Sequence, residues 1–273
     1  MNISSPTHDV IAFSKTVNAL RSFFLARGFI EVHTQDRLSI LAACEDPTTV
    51  ATYDYAGSRW PLPQTGQMWL EYELLTKPEL PGVFCVSTSY RNEKNPIPGR
   101  HERIFPMFEF ESKGTVDDLR KLETDLCEHL GLGKKSSFHY STYRKLAKKY
   151  KTKELTAEDE KLMAEDIGRV VFLEDFPENT SPFWNMRRKG KIARKIDVII
   201  DGMETIGSAE RSSDPKDMKK RFASISEGGY AALLYKKFGK SRVQKELEEF
   251  LALDFFPRYG GGIGMTRLMR ALA

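Results

Sequence analysis

The sequence has little cysteine. Its three cysteines, Cys44, Cys85 and Cys127, are odd in number and show no Cys-x-x-Cys spacing. That excludes a zinc knuckle and a disulfide frame, and points to a reducing, cytoplasmic setting. A long apolar run is also missing, since no stretch approaches the roughly 20 residues that cross a bilayer. With 29% charged residues and a mean hydropathy of −0.45, the chain reads as soluble and globular, with no membrane partner. The start, MNISSPTHDV, has neither the basic opening nor the apolar core of a signal peptide. One-sided charge is absent too. The 42 basic and 38 acidic residues leave a net charge of +4, which does not demand a nucleic-acid partner. No internal repeat or low-complexity segment stands out. At 273 residues the chain can bury a sizeable core, and residues 1–273 read as a single domain.

The richest stretch is 84–111, FCVSTSYRNEKNPIPGRHERIFPMFEFE. A β-rich apolar run over 83–90 precedes Arg91, Asn92 and Glu93. A loop holding Pro96, Pro98 and Gly99 follows, then Arg100 and His101. A second run alternates Ile104, Phe105, Met107, Phe108 and Phe110 with Glu109 and Glu111. Two extended runs around a Pro/Gly loop predict an antiparallel hairpin. Side chains alternate with period two along a strand, so Arg91 and Glu93 are expected on one face of the first strand. Glu109 and Glu111 are expected on one face of the second. Charges set into apolar runs are costly unless they bind something. One reading is a polyanion site in which Arg91 offers a planar fork to a phosphate. The other is a solvated hairpin face with cross-strand ion pairs.

The order Tyr-Arg-Asn-Glu, loop, Arg-His, Phe, Glu-x-Glu resembles motif 2 of the class II aminoacyl-tRNA synthetases. A second match closes the chain: Gly260-Gly261-Gly262-Ile263-Gly264-Met265-Thr266-Arg267-Leu268 resembles motif 3, a glycine-rich strand running into a helix that carries an arginine. The similarity runs from about Val17 to the end and is greatest to the aspartyl/asparaginyl branch and its stand-alone relative, the ammonia-dependent asparagine synthetase. It implies an α+β catalytic domain with an antiparallel sheet of six to seven strands flanked by helices, ATP and Mg2+ as cofactors, and a homodimer. The apolar periodicity over 10–26, the stop at Gly28 and the run Phe29-Ile30-Glu31-Val32 predict a helix and a strand. Together they resemble motif 1, which builds the family's dimer interface. Gln35 stands where the family usually has proline.

The resemblance assigns roles residue by residue. Arg91 would bind the α-phosphate and the substrate carboxylate, and Glu93 would accept from the adenine amino group. Arg100 and His101 would reach the terminal phosphates, and Phe105 would stack on adenine, where an aromatic face offers broad apolar contact. Gly264, in the glycine run, lets backbone approach ATP closely, and Arg267 would meet the γ-phosphate. The segment from Gly202 to Arg211 resembles the branch's Gly-x-Glu-Ile-x-Gly-Gly-Ser-x-Arg. In it Glu204 would hold Mg2+, a hard oxygen ligand for a hard cation, and Arg211 would grip a substrate side-chain oxygen. Glu210 stands there in place of a residue that is often neutral, and Ile104 in place of a frequent glutamate. Two assignments keep alternatives. Glu45, after Cys44, would hold the substrate's α-amino group, or is a loop acid. Gln67 and Glu71, in Gln64-Thr65-Gly66-Gln67-Met68-Trp69-Leu70-Glu71, would bind the amino acid, with Glu71 accepting from a carboxamide nitrogen, or Glu71 is an exposed helix residue.

Elsewhere the pattern predicts an amphipathic helix over 116–131, helical pieces over 134–168, strands over 170–173 and 196–200, and a polar helical region over 214–253; Asp175-Phe176-Pro177 and Ser181-Pro182-Phe183-Trp184 resemble the branch's loop that lines the amino-acid pocket. The lysines of 145–153 read as a solvated face or a nucleic-acid contact. The tRNA synthetases of the branch carry an N-terminal anticodon-binding barrel for which this sequence has no room. The expectation is therefore an adenylate-forming ligase, with Arg91 and Arg267 as its catalytic residues. It would act on aspartate, asparagine or a close analogue and pass the acyl group to something other than a cognate tRNA, ammonia first. The alternatives are a truncated asparaginyl-tRNA synthetase paralogue, not reading an anticodon, and a non-catalytic regulatory paralogue.

Overall fold

A computed structural model describes residues 9–34, 38–41, 45–97, 99–180 and 183–273. Gln35, Cys44, Pro98, Ser181 and Pro182 lie outside the described residues. The strands are β1 (Ile30–Glu31), β2 (Thr52–Tyr55), β3 (Ser58–Pro61), β4 (Gly82–Tyr90), β5 (Ile104–Lys113), β6 (His139–Thr142), β7 (Val170–Pro177), β8 (Arg188–Lys189), β9 (Ile192–Ile200), β10 (Met203–Glu210) and β11 (Arg258–Gly264). The helices are α1 (Val10–Leu25), α2 (Gln67–Thr76), α3 (Val116–His129), α4 (Tyr143–Lys149), α5 (Ala157–Asp166), α6 (Pro215–Ser224), α7 (Gly229–Phe238), α8 (Lys240–Leu251) and α9 (Met265–Leu272).

Among the described residues one sheet of nine strands runs β1-β4-β5-β11-β10-β9-β7-β6, with β8 on β9, and β2-β3 form a separate ribbon. This corrects the expected six- to seven-stranded antiparallel sheet. The inner strands are antiparallel, but β1 pairs with β4 and β6 with β7 in parallel. Both parallel pairs sit at the edges, where α2 or α4 and α5 intervene between the partners, and such a crossover is what parallel pairing requires. The motif 2 hairpin is β4-β5, paired from Gly82↔Ser112 to Tyr90↔Ile104. Arg91 and Glu93 lie past the end of β4 rather than on its face, with Arg91 bridged to Val50.

Alternation along the strands separates two chemistries. One face carries Phe84, Phe108, Phe110, Ile196, Val198, Ile206 and Ile263, packed under α1, α3 and α9. Phe24 of α1 lies 5.1 Å from the rings of Phe108 and Phe110. Burying each such ring contributes about 1.5–3 kcal/mol. Caps fix where these helices start. The Asp9 carboxylate accepts from the backbone N–H of Ile11 and Ala12, and Thr115 and Asp118 form a reciprocal capping box on α3. The opposite face carries Glu109 and Glu111 of β5 beside Gly262 and Gly260 of β11, and Gly207 of β10 beside Asp197 of β9. This polar half of the face holds the site, and α6, α7 and α8 close the apolar half.

The candidate nucleotide and amino-acid site

A cavity of about 200 Å³ opens on the polar face, lined by residues of the motif 2 hairpin, β10, β11 and α9. Arg91, Arg100, His101 and Phe105 come from the hairpin, Glu204 and Gly207 from β10, and Gly262, Gly264 and Arg267 from the chain end. Segments some 170 positions apart therefore converge on one space. Glycine forms the floor because nothing larger fits: a Cβ on Gly262 would lie 2.8 Å from the Met107 methyl, and one on Gly207 3.0 Å from Glu204 Oε1.

The cationic groups are held by partners that a ligand can displace. Arg267 donates from Nη1 to the Glu204 carbonyl at 2.6 Å and from Nη2 to the Arg100 carbonyl at 3.3 Å. Arg100 Nη2 donates to both oxygens of Glu160 at 2.8 Å, and the backbone N–H of Glu204 donates to the same Glu160 at 2.9 Å. His101 Nδ1 lies 3.0 Å from Glu93 Oε1. The Arg91 guanidinium sits over the Phe105 ring, 5.3 Å from its centroid, and its buried Nε has no hydrogen-bond partner among the described residues. Burial lowers the pKa of Arg267, and Arg100 and Arg91 push in the same direction against Glu204 and Glu160. Cations crowded against one another in this way are relieved by an anion.

Glu204 faces Asp197 across Gly207: the two carboxylates lie 3.0 and 3.6 Å from where a Cβ on Gly207 would stand. Lys195 Nζ donates to Asp197 Oδ2 at 2.8 Å, and the buried Oδ1 has no hydrogen-bond partner among the described residues. Burial pushes Asp197 up to about 7, against the pull of Lys195 and with Glu204 adding to the rise. No group of three or more His, Cys, Asp or Glu suited to a metal is present among the described residues. Two carboxylates, one with an orphaned oxygen, nonetheless fit Mg2+, which keeps several waters and shares substrate phosphates. Asp197 escaped the sequence reading; it pairs with Gly207, and a register shift between Glu204 and Ile206 intervenes before it.

Of the residues expected at the amino acid, Arg91 lines the cavity, whereas Gln67, Glu71 and Arg211 are buried away from its lining. Glu109 accepts from the Gly66 N–H at 2.8 Å, from Ser87 Oγ at 2.5 Å and from Thr65 Oγ1. Gln67 Oε1 accepts from Arg211 at 3.1 Å. Glu71 is not exposed but buried, and Arg258 Nε and Nη2 donate to its Oε2 at 3.1 and 2.5 Å, while Asn185 Nδ2 donates to Oε1 at 2.7 Å. Arg211 donates to Glu111 Oε1 at 2.9 and 2.5 Å. Glu45 stands apart, accepting from the Gln64 N–H at 3.2 Å beside a small separate cavity with Thr65 and Gly66. Glu210 belongs to none of this: it accepts from the Val116 N–H at 3.1 Å and so caps α3. The sequence reading missed Arg258 and Asn185. Arg258 precedes the glycine run and looked like its flank.

The fold and the glycine-floored cationic cavity define a class II synthetase catalytic domain. The family of class II tRNA synthetases (D, K and N) matches residues 5–273, and the chain belongs to that family. It is similar to the lysine–tRNA ligase of Aquifex aeolicus, 24% identical over 95% of this chain and 50% of that protein. It is also similar to the aspartate–tRNA(Asp) ligase of Pyrobaculum aerophilum, 32% identical over 44% of this chain and 25% of that protein. Its fold matches the crystal structure of asparaginyl-tRNA synthetase from Pyrococcus horikoshii complexed with asparaginyl-adenylate, with a TM-score of 0.77 at 18% identity, over 96% of this chain and 64% of that one. The chain thus spans about half the length of the Aquifex relative. Among the described residues no helix is long and apolar enough to cross a membrane.

Proposed function

We propose that the protein uses ATP to activate aspartate, asparagine or a close analogue as its adenylate. The observation that carries this reading is the convergence of Arg91, Arg100, His101 and Arg267 on one cavity beside Phe105, with a buried donor of Arg91 left unpartnered. The adenine ring would lie against Phe105, with Glu93 at its amino group. Arg91 would bridge the α-phosphate and the amino acid's carboxylate, holding attacking oxygen and phosphorus in line. Arg100, His101 and Arg267 would take the terminal phosphates. Mg2+, held by Glu204 and Asp197, would neutralise phosphate charge. The carboxylate oxygen attacks the α-phosphorus, the bond to the bridging oxygen breaks, and pyrophosphate leaves. No side-chain nucleophile is required; positioning and preorganised charge do the catalysis.

Ammonia is the first acceptor to test, because Gly264-Met265-Thr266-Arg267 resembles the version in the stand-alone asparagine synthetase. A second reading, transfer to a tRNA or another macromolecule by a homodimer, is favoured by membership of the tRNA synthetase family. Pyrophosphate exchange into ATP with a panel of amino acids tests the shared first step. Exchange with at least one of them is expected. No exchange with any, while ATP still shifts the melting temperature, would remove the enzyme reading and leave a regulatory module.

A further inference from the structure

The segment between β4 and β5, residues 91–103, brings Arg91, Arg100 and His101 to the cavity. Its base is fixed by backbone: the Asn92 N–H donates to the Thr49 carbonyl at 2.8 Å. Arg103 braces the same end, donating to the Glu93 and Lys94 carbonyls at 3.0 Å. The tip, from Gly99 to Glu102, has no strand partner. Among the described residues it is tied from outside by side chains of two helices. Glu160 of α5 holds the Arg100 guanidinium at 2.8 Å. From α9, Arg267 Nη2 donates to the Arg100 carbonyl at 3.3 Å, and Arg270 Nη1 donates to the Gly99 carbonyl at 2.5 Å. Arg270 Nη2 also lies 3.5 Å from Glu102 Oε1.

Helix α9 is a firm anchor for two of these ties. Met265, Leu268 and Ala271 bury one stripe of it in the core beneath the sheet. Arg169 Nη2 donates to the Ala271 carbonyl at 2.5 Å and pins the last turn. Residues three apart share a helix face, so Arg267 and Arg270 meet consecutive carbonyls of the tip. Gly99 turns the backbone there with a φ of +76°, a conformation that glycine adopts at no steric cost. The two arginines differ in what else they reach. Arg267 lines the cavity and Arg270 does not; Arg270 lies half-exposed on the outer side.

Resting on the adenylating reading above, we infer that Arg270 is a positioning residue for the nucleotide. It straps the tip to α9 from outside the cavity, through the Gly99 carbonyl. In that reading the terminal phosphates take up Arg267 and Arg100. A phosphate oxygen is a stronger acceptor for a guanidinium than a carbonyl is. Arg267 then gives up the Arg100 carbonyl, and Arg100 gives up Glu160, at the moment when the tip must hold still. The bond from Arg270 is the outside tie that this exchange does not consume. It keeps Arg100 and His101 over the phosphates without touching the nucleotide itself.

Two measurements on the wild type, Arg270→Met and Arg270→Lys test this. One is pyrophosphate exchange. The other is the rate of trypsin cleavage after Lys94, Arg100 and Arg103 in saturating Mg2+ and ATP, with the cut sites mapped by mass. Arg270→Met should raise the KM for ATP about three- to tenfold, the scale of one hydrogen bond at an exposed site. kcat and the KM for the amino acid should stay within about twofold. The tip should be cut about threefold faster or more. The melting temperature should hold, because the buried stripe of α9 is untouched. Arg270→Lys keeps one charged donor and should recover part of both effects. Should Arg270→Met fail to fold, Arg270→Gln carries the same test. An unchanged KM for ATP, or an unchanged cleavage rate, overturns the inference and leaves adenylation intact. So does a rise in both KM values together with a fall in melting temperature, which would make Arg270 a structural residue of α9. No exchange by the wild type with any amino acid would instead sink the adenylating reading, and the cleavage rates alone would then decide whether Arg270 ties the tip.

Discussion

The two ends of the site solve opposite problems. At the cavity, Arg267 is held by backbone carbonyls, Arg100 by Glu160, and the Nε of Arg91 has no hydrogen-bond partner among the described residues. At the quartet of Glu71, Glu111, Arg211 and Arg258, two arginines stand against two glutamates, fully buried and bonded to each other. The first arrangement leaves a buried arginine donor unmet and is suited to an anion. The second is already paired within itself. Arginine thus serves both ends for different reasons. In one it lines an open cavity, and in the other it is a counter-charge that fixes a buried glutamate.

The largest effect expected from breaking this comparison is at the cavity. Arg91→Ala or Arg267→Ala should lower kcat/KM for pyrophosphate exchange by about 10²–10³-fold, the usual loss for one preorganised donor at a developing charge. Melting temperature should be little changed. An equal loss of fold would show that these residues are structural. The quartet should behave the other way. Arg258→Met strands a buried carboxylate and should cost about 3–5 kcal/mol in denaturant unfolding, with most of it recovered in Glu71→Met/Arg258→Met. An exposed pair such as Lys219–Glu248 should cost under about 1 kcal/mol. If removing either pair costs the same, burial is not what distinguishes them.

A smaller change should appear at the latch between Arg100 and Glu160. Glu160→Gln removes the carboxylate that competes with phosphate for Arg100, so the KM for ATP should fall about two- to five-fold, the scale of a partly exposed ion pair. A rise would mean that Glu160 orders the loop rather than restraining it.

A separate effect is one of pH. Burial lifts Glu111 from 4.5 and Asp197 from 3.8 to about 7. The folded protein therefore binds these protons more tightly than the unfolded chain does. Their contribution to stability is complete below pH 3.8 and 4.5 and is lost as pH rises through about 7. Melting curves between pH 5 and 8 should show that decline, flattened in part by Glu111→Gln. Mg2+ at pH 8 should raise the melting temperature of the wild type but not of Asp197→Asn. Equal shifts in both would place the metal elsewhere.

Much of the cavity could be read from the chain. Arg91, Phe105, Arg100, His101 and Arg267 lie in two dense motifs whose glycines and alternation leave few other arrangements. The period of two also placed Glu109 and Glu111 together. Strand β6, His139–Thr142, was not legible, because four short, mostly exposed residues carry no alternation and take their extended form from pairing with β7. The edge parallel pairings were missed for the same reason: they depend on which strand a crossover returns to, not on either strand's own pattern.

By itself, then, the sequence determined most of the cationic cavity. Its donors lie within short segments, and local strand and helix geometry suffices to aim them. Only the tertiary structure decided the buried quartet. Glu71 comes from a helix, Arg258 from a strand 187 positions later, and no local pattern records that they meet. The meeting turns a lone acid into half of a neutral pair, because in a site closed to water the charge of a group is felt together with that of its nearest partner.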